Sequence, residues 1–130
     1  MADLLPLQAG YEQEEVLPRG AVFDPASSRA ALEHILAHEH ILGAELDGRI
    51  IAKANTSAKS FTRYQIGGVY VHPDYRGRGI ATRLCAELFR DLLLTGKGLS
   101  LFVKKQNPAA RSVYRSLGFE FLADYRISYY

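Results

Sequence analysis

The residue types best suited to chemistry lie in one short glycine-rich segment. Residues 76–81 read Arg-Gly-Arg-Gly-Ile-Ala; they follow the apolar, strand-like residues 66–71 and open a helix-like stretch over 80–94. A small-residue turn between a strand and a helix leaves backbone N–H groups free at the start of the helix, where the helix dipole adds about half a positive charge. Arg76 and Arg78 add side chains that can bind phosphate oxygens through two N–H groups at once. The segment therefore predicts a diphosphate-binding site.

Two common phosphate-binding loops fit this segment poorly. A Walker-type loop ends in Gly-Lys-Ser/Thr, which does not occur in the chain. A dinucleotide-binding fingerprint needs a third small residue where this chain has Thr82, and an acidic residue at the end of the next strand, where Lys104 and Lys105 stand. A plain strand-to-helix turn would explain Gly77 and Gly79, but such a turn does not require two flanking arginines.

Two motifs resemble the signatures of the GNAT acyltransferases. Arg76, Gly79 and Ala81 match in order the family's acetyl-CoA loop, Arg/Gln-x-x-Gly-x-Gly/Ala, and residues 69–73 are similar to the family's central strand and its exit. Residues 107–119 resemble the second signature, Asn-x-x-Ala-x-x-x-Tyr-x-x-x-Gly-Phe. Both motifs occur in the right order and at family-like spacing, which strengthens the resemblance. It extends from about residue 41 to residue 130.

The resemblance implies how acetyl-CoA would bind as the acyl donor. The pantetheine arm would lie in a splayed gap between strands 65–71 and 99–103, paired with the backbone of the first, and an N–H near Val71 would face the thioester oxygen. The implied cofactor-binding residues are Val69, Tyr70, Val71, Arg76, Gly77, Arg78, Gly79, Ile80, Ala81, Thr82, Asn107 and Tyr114.

Tyr114 is the catalytic residue that the resemblance implies, as the general acid for the departing sulfur. Its spacing from Gly118 and Phe119 also suits a packing role at the end of a helix. No general base stands out. The residues that qualify by type alone are Glu45, His38, His40, His72 and Tyr70.

Composition sets limits on other functions. The chain has 130 residues, which suits a single domain, and a net charge of only +2, which gives no broad basic surface for nucleic acid. Its one cysteine, Cys85, lies among apolar residues and is predicted to be a buried, inert thiol. We expect no metal site, because no cysteine–histidine cluster has zinc spacing. The lack of a long apolar run and of a secretory signal predicts a cytoplasmic protein that does not enter membranes.

The remaining elements follow from local patterns. Asp24 and Pro25 predict a helix start, Asp47-Gly48 predicts a hairpin between strands 41–46 and 49–54, and residues 56–62 are predicted to be a loop. The helix after Gly79 would connect two parallel strands. The tail, residues 119–122 and 125–130, offers two further strands. The predicted fold is therefore an α/β (α+β) fold: a mostly antiparallel sheet with one parallel pair, flanked by helices.

The expected function is transfer of an acetyl group, or of a larger acyl group, to a primary amine. Residues 1–40 would form an abbreviated helical part before an acetyl-CoA-binding core over 41–130, and a first strand would be absent or formed poorly by residues 4–7. This short segment favours an alternative, a CoA-binding regulatory or subunit module without catalysis. A nucleotide-binding domain is a third interpretation. An exposed sheet edge could be covered by a second copy, which predicts a homodimer.

Overall fold

The computed structural model describes residues 2–18, 20–101 and 108–117, which form helices packed on both faces of one sheet. The strands lie in the order β1-β2-β3-β4; the first two pairs are antiparallel and β3 runs parallel to β4. This confirms the predicted mixed sheet with one parallel pair. The elements are α1 (Leu4–Tyr11), a π-helix (Glu12–Val16), α2 (Pro25–His38), β1 (Ile41–Leu46), β2 (Arg49–Lys59), β3 (Arg63–Val71), a 3-10 turn (Pro73–Tyr75), α3 (Ile80–Leu93), β4 (Gly98–Leu101) and α4 (Pro108–Ser116).

The predicted turns and caps are present. Asp47 and Gly48 both have positive φ, 52° and 79°, as a two-residue hairpin turn requires. Asp24 caps α2 by accepting a hydrogen bond from the N–H of Ala26 at 3.1 Å. The loop predicted over residues 56–62 is confined to residues 60–62; the prediction was wrong for 56–59, because β2 continues to Lys59 and pairs with the start of β3. Backbone pairing holds this polar stretch in the sheet, although its last residues are exposed.

The N-terminal segment begins with a helix. Residues 4–7, where a first strand was expected to be absent or poorly formed, lie in α1. Pro6 lies in the first turn of α1, where its missing N–H would have had no partner within the helix, so proline does not break the helix. α1 approaches the sheet closely: a Cβ at Gly10 would lie 2.5 Å from the hydroxyl oxygen of Tyr70. The helix therefore lies directly over one face of β3.

The two faces of the sheet carry different side chains. On one face, α3 packs its apolar side against the sheet in a core that comprises Ala52, Ala54, Tyr64, Ile66, Leu84, Cys85, Leu88, Phe89 and Leu92. Burial raises the pKa of the Cys85 thiol to about 12, in agreement with the predicted inert thiol. On the other face, under α1, β2 carries buried polar residues, Lys53 and Asn55 among them. The sheet thus separates an apolar core from a polar buried layer.

Three sequence predictions fall outside the described residues. These are the last two residues of the strand predicted over 99–103, Asn107 as an implied cofactor-binding residue, and the tail strands at 119–122 and 125–130.

Candidate active site

The turn before α3 has the open backbone that an anion requires. Gly77 and Gly79 have φ of 78° and 75°, and a Cβ built on either glycine would meet no atom within 4 Å. Gly79 is the N-cap of α3, and among the described residues no side chain caps this helix. The N–H groups of Ile80, Ala81 and Thr82 lie in the first turn, where α-helical N–H groups have no partner within the helix. The turn therefore has the free N–H groups and the open space that an anion such as a diphosphate needs.

The two arginines of the turn have protein partners of their own. Arg76 lies back along β3: its Nε donates to the carbonyl of Val71 at 3.0 Å, and a terminal nitrogen donates to Glu14 at 2.8 Å. Its guanidinium also lies 5.1 Å from the ring centroid of Tyr70. Arg78 is exposed and lies over the ring of Tyr75. The exposed side chain of Arg78 is thus available to a phosphate, whereas Arg76 would have to leave Glu14 first.

β3 continues to Val71, past its described pairs with β4. The described parallel pairs end at Ile66 opposite Leu101. Next comes a bulge: between the pairs Lys53–Tyr70 and Asn55–Gly67, β3 has one residue more than β2. Gly68 lies in this bulge with a φ of 77°. The bulge contains Gly68 and Val69, so it includes the first of the three residues predicted to pair with the pantetheine arm.

Those three residues alternate across the sheet. Val69 and Val71 pack against the core formed with α3. Tyr70 is buried on the opposite face, where desolvation and the carboxylate of Glu14 raise its pKa. The backbone of β3 at these residues therefore lies between two packed layers.

Tyr114 lies where α4 meets α3 and the N-terminal segment. It packs against the core that contains Cys85, and it is mostly buried. Burial raises its pKa well above the ordinary value, with smaller contributions from Cys85, Tyr11 and Glu15. The phenol therefore stays protonated at neutral pH and can donate a hydrogen bond.

The histidines predicted as possible bases have structural roles. His72 accepts a hydrogen bond from the N–H of Asp74 at 3.1 Å within the 3-10 turn. His38 packs against His34, and His40 meets the ring of Tyr64 edge-on. The structure brings none of these three rings into contact with the turn before α3 through any described interaction. Glu45 is exposed on the edge strand β1.

Sequence reasoning missed Lys53, which is fully buried on β2. Its Nζ donates to Asn55 Oδ1 at 2.5 Å and to the carbonyl of Gly68 in the bulge at 2.7 Å. The ammonium also lies 5.2 Å from the ring centroid of Tyr11. Burial lowers its pKa to about 7, against a smaller opposing effect of Glu12. The available signal was a lysine inside a strand whose neighbours on both sides are buried alanines.

Comparison with known proteins shows the family to which this chain is related. The sequence profile of the Acetyltransferase (GNAT) family matches residues 7–119. The chain belongs to the GNAT family. It is 36% identical over 86 residues to the N-alpha-acetyltransferase RimI of Mycobacterium tuberculosis, an alignment that covers 64% of this chain and 53% of RimI. The chain thus spans about half the length of that relative.

Solved structures share the GNAT fold along nearly the whole chain. A probable acetyltransferase superimposes with a TM-score of 0.81 at 23% identity, covering 98% of this chain and 90% of its own. The aminoglycoside N-acetyltransferase AAC(6')-Iy in complex with CoA gives a TM-score of 0.70 at 26% identity, covering 97% and 86%. The first of these likenesses shows the fold alone. The second shows a GNAT neighbour of this chain with CoA bound.

The described residues contain neither a cluster of metal-ligating side chains nor a membrane-spanning helix. No group of three or more histidine, cysteine, aspartate or glutamate side chains within residues 2–18, 20–101 and 108–117 could hold a metal ion. None of the helices in the same ranges is both long enough and apolar enough to cross a bilayer.

Proposed function

We propose that this protein is an N-acetyltransferase that transfers the acetyl group of acetyl-CoA to a primary amine by direct attack in a ternary complex. The observation that carries the proposal is the open, uncapped start of α3 at Gly77 and Gly79, which follows the end of β3. Family membership and a CoA-bound structural neighbour support the same donor.

The chain's residues would divide the work of binding the donor. The N–H groups of residues 80–82, with Arg78, would hold the diphosphate, because they combine free donors, the helix dipole and a positive charge. The backbone of Val69, Tyr70 and Val71 would pair with the pantetheine arm as with a neighbouring strand. An N–H of this stretch would face the thioester oxygen and stabilise the charge that develops there. Asn107, outside the described residues, is proposed to contact the arm as well.

Chemically, the acceptor nitrogen attacks the thioester carbon, a C–N bond forms, and the C–S bond breaks to release the thiolate of CoA. An alkylammonium has a pKa near 10.4, so only about one molecule in 2,500 is neutral at pH 7, a cost of ~4.6 kcal/mol. The thiolate, with a pKa near 8.5, leaves with little assistance. Removing a proton from the acceptor and positioning it are thus the larger tasks.

Tyr114 is proposed to assist the leaving group. Since burial keeps its hydroxyl protonated, the phenol can donate a hydrogen bond to the departing sulfur. Its raised pKa makes complete proton transfer to a thiolate unfavourable, so we assign it a stabilising hydrogen bond as the bond to carbon breaks.

The substitution Gly79→Glu tests the anion site. A carboxylate there would occupy the space for the diphosphate and repel it, so we expect the Kd for acetyl-CoA to rise at least about 100-fold, or ~2.7 kcal/mol. Isothermal titration calorimetry measures it. Gly79→Gln separates charge from size. Gly48→Glu is the control for strain, because Gly48 also has positive φ with no atom within 4 Å of its Cβ position. Retained affinity in Gly79→Glu would reject the assignment.

Turnover with a panel of amines separates the proposed enzyme from the alternative. Release of CoA thiol that depends on an added amine supports N-acetylation. Tight CoA binding with no amine-dependent release supports a regulatory or subunit module. A larger increase in Tm with NAD or ATP than with CoA would favour a nucleotide-binding domain.

Three organisational predictions accompany this proposal. Residues 1–130 form one domain, the protein is cytoplasmic, and a second copy covers the edge strand β1. β1 pairs only with β2 among the described strands, and such edges are commonly covered by another chain. Sedimentation velocity would test the dimer, with a monomer at micromolar concentration as the contrary result.

A further inference from the structure

The polar layer under α1 includes a lysine that the proposed chemistry does not use. Lys53 has no exposed surface, and its side chain ends against the β3 bulge. We propose that Lys53 is a positioning residue for acyl transfer: by binding the carbonyl of Gly68 and the side chain of Asn55, it holds the bulge in the shape that presents residues 69–71 to the pantetheine arm. This inference rests on the proposed function.

The contacts at the bulge are specific. Lys53 lies on β2 opposite Tyr70 of β3, so its side chain projects on the same face of the sheet as the Tyr70 ring. Instead of following its own strand, the side chain crosses to β3 and donates to the carbonyl of Gly68 at 2.7 Å. The same Nζ donates to Asn55, two residues along β2. One nitrogen thus connects both strands at the bulge.

The fit around this nitrogen leaves no room for a side chain at residue 68. A Cβ on Gly68 would lie 2.7 Å from Lys53 Nζ and closer still to Asn55 Oδ1. The positive φ of Gly68 also disfavours any other residue there. Bulge, glycine and lysine therefore form one packed unit in which a change in one member moves the others.

Asn55 anchors this unit to the rest of the sheet. Its amide nitrogen donates to the carbonyl of Thr56 at 2.9 Å. The Thr56 hydroxyl in turn donates to Glu39, which follows α2, at 2.6 Å. The position of Asn55 Oδ1, and with it that of Lys53 Nζ, is thus fixed from two sides.

Lys53 can hold the bulge in either protonation state. Burial favours the neutral amine, while Glu12 and the Tyr11 ring favour the ammonium. A neutral amine has two N–H bonds and an ammonium has three, so both forms can donate to Gly68 and Asn55. The positioning role therefore does not depend on the charge.

The position of the bulge determines which part of the donor site depends on Lys53. The bulge contains Gly68 and Val69 and leads directly into Tyr70 and Val71, while the diphosphate site begins at Gly77, beyond the strand. Loss of the Lys53 contacts should displace the thioester from the acceptor but leave the diphosphate in place. A misplacement of about 1 Å can lower a rate 100-fold.

Steady-state kinetics of Lys53→Met test this separation. We expect kcat to fall at least tenfold, while the Kd for CoA changes less than threefold. Lys59→Met is the matched control, because Lys59 lies on the same strand but is exposed, and its Nζ donates to the carbonyl of His38 at 2.8 Å. A kcat of Lys53→Met within twofold of wild type would overturn the proposal. If Lys53→Met is unfolded at the assay temperature, Lys53→Gln replaces it, because the glutamine side chain is one bond shorter and its amide does not reach the bulge. The same limits on kcat and on the Kd for CoA then apply to Lys53→Gln.

Hydrogen exchange gives a readout that does not need activity. Lys53→Met should exchange faster than wild type in peptides covering residues 66–72, whereas Lys59→Met should not. Unchanged exchange there would also overturn the proposal. A wild-type protein that binds CoA but acetylates no amine would contradict the proposed function instead, while the exchange result would still report whether Lys53 holds the bulge.

Discussion

At the scale of single residues, Tyr114 shows how one side chain combines packing and chemistry. Its ring packs against the core with Cys85, and this burial is the main cause of its raised pKa. The contacts that fix the ring therefore also fix the position of the hydroxyl, which an ordinary tyrosine pKa near 10 already keeps protonated at neutral pH.

Tyr114→Phe separates the two roles, because it removes the hydroxyl and keeps the ring. We expect kcat to fall about tenfold to 100-fold, as for the loss of one hydrogen bond of about 1.5–3 kcal/mol to a developing charge, and the Kd for acetyl-CoA to change little. Stopped-flow detection of thiol release and calorimetry measure the two quantities. Tyr64→Phe, which alters a buried tyrosine at the other end of β3, is the control. An unchanged kcat would leave Tyr114 with packing alone.

At the scale of elements, the π-helix connects the N-terminal segment to the turn before α3. It places Glu14 2.8 Å from Arg76, 62 residues further along the chain. π-helical turns are uncommon and are often found at functional sites. Both partners are about half exposed, so the ion pair itself is worth about 0–1 kcal/mol. The ion pair would compete with binding of the donor, because Glu14 pairs with Arg76, which is predicted to bind the diphosphate.

Glu14→Gln should therefore strengthen the binding of CoA. Removing the carboxylate frees Arg76 and removes a negative charge near the phosphates, for an expected gain of roughly twofold to fivefold in affinity. The gain should shrink at 0.5 M salt, because salt screens exposed charges. Titration calorimetry at two salt concentrations measures this. Glu33→Gln, at an exposed pair with Arg29, is the control. Weaker binding by Glu14→Gln would show that Glu14 helps to hold the donor.

Some of the helices, strands and turns could be predicted from the sequence, and others could not. The hairpin at Asp47-Gly48, the cap at Asp24 and the glycine turn before α3 were predictable because each depends on a local backbone requirement. The bounds of the helix over residues 4–11 were not predicted, because its contacts with the sheet rather than a local signal place it. The strand end at Lys59 was missed because partner pairing, not local propensity, extends β2.

Part of the candidate site could likewise be predicted from the sequence, and part could not. The turn at Gly77 and Gly79 could be identified from adjacent residues, whereas the contacts of Lys53 join β2, β3 and the N-terminal segment. Long-range contacts of this kind leave no pattern in a single sequence. The pairing of Arg76 with Glu14 was hidden for the same reason, since both residues are unremarkable charges in their own segments.

At the scale of the whole molecule, the polar layer beneath α1 makes stability depend on pH. The pKa of Lys53 is about 7 in the folded chain, against an ordinary value of 10.5. Between these values the unfolded chain binds more protons, so the free energy of unfolding rises with pH across that window. Below pH 7 both states are protonated and the cost of the buried charge is constant. Cys85 acts in the opposite direction above its ordinary pKa of 9.0, because burial favours its neutral thiol.

Urea unfolding at a series of pH values tests this balance. From pH 7 to pH 9 the stability of the wild type should gain on the order of 2 kcal/mol relative to Lys53→Met, since one proton contributes up to ~1.4 kcal/mol per pH unit. Lys59→Met should follow the wild type, because that lysine is exposed. A single transition seen by fluorescence and circular dichroism would also support one domain. Parallel curves for wild type and Lys53→Met would mean that water or a local rearrangement solvates the amine, and that the layer under α1 is not sealed.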